Sequence, residues 1–396
     1  MMQISPETQL FIREHSSDDV RVLALQAKKY PDIDMPTAIT QIAGRKVAAE
    51  KIPSWWEIEK IWYPKHLSLE QCSSEITARY KARLFQGDSL TDLTGGFGID
   101  CSFLATGFKS ATYVERQEEL CEIAAHNFPV LNLNHINIKN EDGVTYLQAM
   151  SPVDCLFLDP ARRNEHGGKP VAISDCEPNV AELEELLLQK ANRVMIKLSP
   201  MLDLSLALKE LKQTQEVHIL SVNNECKELL ILLGQTSPTE ISIHCVNLST
   251  KGTQEEQHFV FTREQEQCSE CTYTDSLETY LYEPNASLLK AGAFRSIAAA
   301  YPVRKLHPNS HLYTSDTFIE NFPGRIFRIV NQCSFNKKEV KENLADLKKA
   351  NVTVRNFPAT VAELRKRIHL AEGGDTYLFA STLNNGQKVL IRCEKV

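Results

Sequence analysis

Long apolar runs are missing from this chain. None reaches the roughly 20 residues that a membrane-spanning helix needs, so no membrane partner is expected. The opening stretch, MMQISPETQLFIREH, has neither the basic n-region nor the apolar h-region of an export signal. A cytoplasmic protein is the expectation. A second paired-cysteine motif is missing as well. The eleven cysteines are odd in number and scattered, which suits the reduced thiols of a cytoplasm better than a disulfide framework. The one C-x-x-C, Cys268 and Cys271, stands without a second pair or a nearby histidine cluster. Zinc normally takes four such ligands, so no metal is expected. Low-complexity linkers and internal repeats are also absent.

What is present is an ordinary globular composition of 396 residues, long enough for two or three domains. The net charge of −7 is unevenly spread. Residues 321–396 carry 14 Lys and Arg against 7 Asp and Glu, whereas the other 320 residues carry 30 against 44. A basic C-terminal module on an acidic body points to a polyanion partner. A merely solvated lysine face is the competing reading.

Residues 5–85 read as helices, with apolar residues at helical spacing and Pro53 and Pro64 as breaks; 69–85 reads as one helix. Strands and helices then alternate: SLTDLT, SATYVE, INIKN, VDCLFLD and ANRVMIKLS are strands separated by helical stretches. That alternation predicts a doubly wound parallel sheet. EVHILSV and ELLILLG predict an antiparallel hairpin at its edge, and ISIHCVNL with HFVFT a further β-hairpin. NASLLKAGAFRSIAAAY is expected to be one helix, 302–324 a loop-rich stretch, and the basic tail a small α+β layer.

In an open parallel sheet, ligands sit beyond the carboxyl ends of the strands. There the chain places DLTGGFG, with Gly95, Gly96 and Gly98 baring the backbone where the first strand opens into the first helix. A pyrophosphate-binding turn would continue to G-x-G-x-x-G. Here Ile99 and Asp100 follow instead, and an aspartate at the helix mouth repels a phosphate but suits a cationic ligand. The next strands end at Glu115, placed for ribose hydroxyls, at Glu141-Asp142-Gly143, placed for an adenine amino group, and at Asp159-Pro160 in LFLDPAR. Each acid alone has the ordinary reading of an N-cap or a solvated turn. Four at consecutive strand ends make a set.

This set, over about residues 71–235, resembles the class I S-adenosylmethionine-dependent methyltransferases. The resemblance implies S-adenosyl-L-methionine as cofactor. Gly95, Gly96 and Gly98 would pass under its methionine part, with Asp92 and Asp100 on the amino group or an ordered water. Ribose would lie on Glu115 and adenine near Asp142. Thr94 and Arg116, in the same two motifs, join the cofactor set. LEQCSSEITARYKA is similar to a segment that lies over the cofactor in several such enzymes, which adds Gln71, Ser74 and Thr77. Helix capping by Ser73 or Ser74 is the alternative there. The whole pattern resembles a bacterial methyltransferase group with a THUMP-like C-terminal domain, and THUMP domains imply an RNA substrate. The expected fold class is α/β: a doubly wound Rossmann-like methyltransferase sheet with an N-terminal helical region (1–70) and a small α+β C-terminal domain. The methyltransferase domain is expected at 71–238, a β-hairpin and helical connecting region at 239–320, and the basic THUMP-like domain at 321–396.

The expected catalytic residues are Asp159, Pro160 and Arg162. Base-amine methyltransferases carry Asp/Asn-Pro-Pro-aromatic at this place, and Asp159-Pro160-Ala161-Arg162 lacks the aromatic. DPAR is similar to the motif of uracil-C5 RNA methyltransferases, which need a cysteine nucleophile after strand five. Leu198 and Ser199 stand there. A nitrogen of an RNA base is therefore the expected acceptor, with Asp159 receiving its hydrogen bond and Arg162 or Arg163 on a phosphate. A salt bridge from that arginine pair to Glu165 or Asp175 is the alternative. The competing functions are methylation of a protein or small molecule, and RNA binding without catalysis.

Overall fold

The computed structural model describes residues 4–162, 172–236, 238–250 and 256–396. The chain divides into two units, one of residues 1–215 with 229–238, the other of residues 216–228 with 239–396.

The first unit begins with helices, of which Met35–Lys51 is the longest, N-capped by Asp34. Its strands are β1 (Gly87–Asp92), β2 (Phe108–Glu115), β3 (Ile136–Asn140), β4 (Val153–Leu158), the short pair β5 (Ala161–Arg162) and β6 (Cys176–Glu177), and β7 (Ala191–Leu198). Next come β8 (Thr214–Val222) and β9 (Glu225–Gly234). Between them Asn223 and Asn224 both have positive φ, 50° and 66°, as a tight type I′ hairpin turn requires. In the first unit the order is β3-β2-β1-β4-β7-β9. β1 to β4 and β7 run parallel, and β9 is antiparallel to β7 from Leu198 opposite Leu229 to Arg193 opposite Gly234. The chain builds outward from β1 through β2 to β3, then returns to lay β4 on the other side of β1. That reversal opens a crevice at the carboxyl ends of β1 and β4. The apolar runs of β4 and β7 are buried at Cys155–Leu158 and Val194–Leu198, as strands covered on both faces must be.

The predicted helix over 69–85 is two: His66–Gln71 and Glu75–Leu84, with Cys72 extended between them. The break carries Ser73 inward (4% exposed) onto buried charged groups described below.

In the second unit β8 is not an edge. β10 (Ser242–Leu248) pairs parallel to it, burying Ile243, Cys245 and Val246, and β11 (Gln257–Thr262) closes an antiparallel hairpin on β10. A second sheet contains β12 (Tyr280–Pro284), β13 (Arg304–Lys305), β14 (Tyr313–Ser315), β15 (Gly324–Ser334), β16 (Asn351–Val354), β17 (Thr376–Thr382) and β18 (Lys388–Lys395), in the order β13-β14-β12-β15-β18-β17-β16. The stretch expected to be loop thus holds two short strands. The helix expected over 285–301 is interrupted at Gly292 and Ala293. Leu344, Leu364, Leu378 and Leu390 fill the core under the last two helices, and Leu281, Phe327, Phe379 and Ile391 form a second core. Glu283, 2% exposed at its side chain, holds Arg325 and Arg355, the latter at 2.9 Å.

Candidate active site

β1 ends at Asp92 and turns through Leu93 to Gly98 into the helix Ile99–Ala105. The three glycines have different reasons to be there. A Cβ on Gly95 would stand 2.3 Å from the ring of Tyr113, so that position is closed by β2 itself. Gly98 is left-handed (φ 86°), and its Cβ would meet Phe128 at 3.1 Å. Gly96 is also left-handed (φ 53°), but its Cβ would have no atom nearer than 3.8 Å. Of the three, Gly96 is the one with open space above it. Its carbonyl accepts from Tyr113 Oη at 2.5 Å, and its N–H donates to Glu115 Oε2 at 2.8 Å. Glu115 Oε1 accepts from Gln117 N–H at 2.8 Å. The carboxylate at the end of β2 is thereby fixed in place while it props the glycine turn.

Asp92 is 1% exposed. Its Oδ1 accepts from Thr94 N–H at 2.9 Å, and its Oδ2 is buried with no hydrogen-bond partner among the described residues. Burial pushes its carboxyl up to about 8; the Thr94 amide opposes the rise, and Asp100, Asp159 and Glu115 add to it by like-charge repulsion. These four acids face one another across the strand ends.

Asp100 has the opposite fate. Burial would raise it, but Lys197 and Lys81 outweigh burial and hold it below the usual carboxylate range. Lys81 Nζ lies 2.9 Å from Asp100 Oδ1 and Lys197 Nζ 3.2 Å from Oδ2. Ser73 Oγ donates to Asp100 at 2.7 Å and accepts from Lys81 and Lys197 at 2.9 and 3.0 Å. Lys197 also reaches Asp159 Oδ2 at 2.6 Å. Two lysines therefore neutralise two aspartates in a connected buried network. Asp159 sits at its open end with 38% of its side chain exposed. Its backbone N–H donates to Thr94 Oγ1 at 2.6 Å, which joins the glycine turn to the DPAR segment. Burial raises the Asp159 carboxyl and Lys197 opposes the rise.

Asp142 is exposed and caps the helix Gly143–Ala149, its Oδ1 accepting from Val144 and Thr145 N–H at 3.1 and 3.0 Å. Behind it, a Cβ on Gly143 would meet the Leu93 carbonyl at 2.2 Å, so the third strand end presses against the glycine turn. Arg116 is exposed, 3.8 Å from Glu177. In the segment ahead of the sheet, Thr77 is buried and bonded to the Ser74 carbonyl at 3.0 Å, Ser74 makes no capping bond, and Gln71 is exposed. Pro160 is buried just past the end of β4, Ala161 pairs with Glu177, and Arg162, where an aromatic would stand, pairs with Cys176. The Arg162 side chain, Arg163 and Glu165 lie outside the described residues. Asp175 accepts from Ala172 N–H at 3.2 Å.

Sequence reasoning missed Lys81, Lys197 and Ser73. The available signal was a lysine inside an otherwise apolar buried strand, VMIKL, a place where a charge persists only if paired.

A parallel sheet reversed at β1 and β4, a glycine turn at the reversal and carboxylates at successive strand ends define the class I methyltransferase fold. The crystal structure described as "putative methyltransferase from Porphyromonas gingivalis W83" is 34% identical, covers 100% of both chains and superposes with a TM-score of 0.88. An rRNA methylase from Streptococcus thermophilus (14% identity, 40% of this chain and 94% of that one, TM-score 0.31) also matches. So does M. capricolum TrmK in complex with S-adenosylhomocysteine (12%, 41% and 68%, 0.32). Residues 280–323 match a ferredoxin-like domain and 324–395 a THUMP domain-like family. No curated protein matches. The chain belongs to the class I methyltransferases with a THUMP-like C-terminal domain.

Proposed function

We propose that this methyltransferase moves a methyl group from S-adenosylmethionine to a base nitrogen in RNA, in the cytoplasm. The observation that carries the reading is the crowding of Asp92, Asp100, Glu115 and Asp159 at the strand ends, with Asp92 Oδ2 buried and unpartnered among the described residues. Burying an acceptor without a donor costs about 1–3 kcal/mol, and a bound amino group would remove that cost. When bound, the cofactor supplies an electrophilic methyl on a sulfonium. Asp92, Asp100, Glu115 and Asp142 would hold it above Gly96. Among this chain's own groups, Asp159 is the partly exposed carboxylate that can accept from a base amino group and orient it. Lys197 fixes that carboxylate and favours its ionised form.

The THUMP-like match and the charge of the tail support RNA as substrate. Lys337, Lys338, Lys341, Lys348, Lys349 and Lys366 are all exposed, and none forms an ion pair with a described residue. Arg325, Arg328, Arg355, Arg365 and Arg392 are each paired with an acid. Lys348 and Lys349 lie beyond the end of the helix Lys337–Leu344. Among the described residues no helix is long and apolar enough to cross a membrane. A protein or small-molecule acceptor is the second reading, favoured by Arg162 standing where base-amine enzymes carry an aromatic.

The test is transfer of labelled methyl to RNA from cells lacking the gene, with nucleosides identified by mass spectrometry. An N-methylated base formed by wild type and not by Asp159→Ala is expected. Label confined to protein or small molecules would replace RNA as the acceptor.

A further inference from the structure

Away from the methyltransferase site, three strands of the second unit bring histidines together. His218 on β8 stands directly opposite His244 on β10, and Glu216 opposite Ser242. On β11, Val260 pairs with His244, so His258, two residues away, shares the same face. The rings of His218 and His244 stack at 4.3 Å and those of His244 and His258 at 5.3 Å. One donor atom each from Glu216, His218 and His244 lies within 4.8 Å of the others. Glu216 Oε2 is 3.2 Å from His218 Nε2, and His244 Nδ1 is 3.1 Å from His258 Nε2.

Ligand atoms 2.0–2.1 Å from a tetrahedral zinc are about 3.3 Å apart, so the Glu216–His218 separation already matches an edge of that polyhedron. We propose that Glu216, His218 and His244 bind a late first-row divalent cation, zinc foremost, with water completing the shell. His258 orients His244 through its second ring nitrogen, the outer-shell role that such imidazoles commonly have. The site is anchored and open at once: His218 is 2% exposed, whereas the Glu216 side chain is 40% exposed, which leaves an entry path. Binding would clamp β8 to β10. The ligands are 26 or more positions apart across the two strands, a spacing that no compact metal motif shows.

The test uses the full-length protein, stripped with a chelator and titrated with cobalt(II). One equivalent should bind with visible ligand-field absorption and without thiolate-to-metal charge transfer, and zinc should displace it. His244→Gln and Glu216→Gln should each weaken binding at least ten-fold. The exposed His258→Ala should weaken it about 10–100-fold while the metal-free protein melts as wild type does. Cys268→Ser with Cys271→Ser should change nothing. Absence of saturable binding, a thiolate band, or affinity unchanged in the Glu216 and His244 variants would each overturn the proposal.

Discussion

Lys197 Nζ lies 2.6 Å from Asp159 Oδ2, and the same ammonium lies 3.2 Å from Asp100. One side chain at the end of β7 thus ties the helix after the glycine turn to the acid expected to orient substrate. Lys197 opposes the rise that burial imposes on Asp159. Without the lysine the carboxyl must rise further, and less of it is ionised at a given acid pH. Lys197→Gln should therefore move the acid limb of the kcat profile to higher pH. An unchanged limb with reduced kcat would mean that the lysine serves packing alone. Removing one partner of a buried pair also costs about 3–5 kcal/mol, so the profile is read below the variant's melting temperature.

Asp92 predicts a stability trend of the opposite sign to a paired acid. Its folded-state value, about 8, lies above the 3.8 of a free aspartate. Between these values the folded chain holds the proton that the unfolded chain has lost. Stability therefore falls as pH rises from about 4 towards 8, by up to about 1.4 kcal/mol per pH unit. Urea unfolding of the cofactor-free protein at pH 5 and pH 8 should show this loss, and Asp92→Asn should reduce it. A wild type and a variant with parallel pH profiles would refute it.

The glycine turn separates packing from cofactor access. Gly95→Ala drives a methyl into the Tyr113 ring and should cost about 1–3 kcal/mol as an overpacked core does. Gly96→Ala meets no protein atom within 3.4 Å, so its fold should pay only the left-handed backbone cost of about 1–2 kcal/mol. Its effect on cofactor affinity should be the larger of the two, measured by calorimetry on both folded variants.

The lysine face should carry the non-specific contact with RNA. Each phosphate contact contributes roughly 0.7 to the salt slope for a single strand. Reversing Lys337, Lys338 and Lys341 to glutamate should flatten the slope of log affinity against log salt by about two, for unrelated RNAs alike. Identical slopes would mean that this face is only solvated.

The ends of β2 and β4 were legible because each is a mainly apolar run stopped by an acid, and Glu115 and Asp159 follow directly. The network behind them was not. Ser73 and Asp100 are 27 residues apart and Lys197 and Asp100 are 97 apart, so only the folded sheet makes them neighbours. Helical periodicity ran through Cys72–Ser74 because it sees apolar spacing, not the pull of buried charges on Ser73. The reason for Gly95, a tyrosine ring on the next strand, is a tertiary contact too.

The central claim is a site for S-adenosylmethionine at the ends of β1 and β2, and calorimetry with the cofactor and its demethylated product tests it most directly. Micromolar binding is expected at one site per chain. Glu115→Ala, which removes both a carboxylate and the prop of Gly96 N–H, should lose about 1.5–3 kcal/mol of it. No binding by the folded protein, or binding of NAD in its place, would contradict the account.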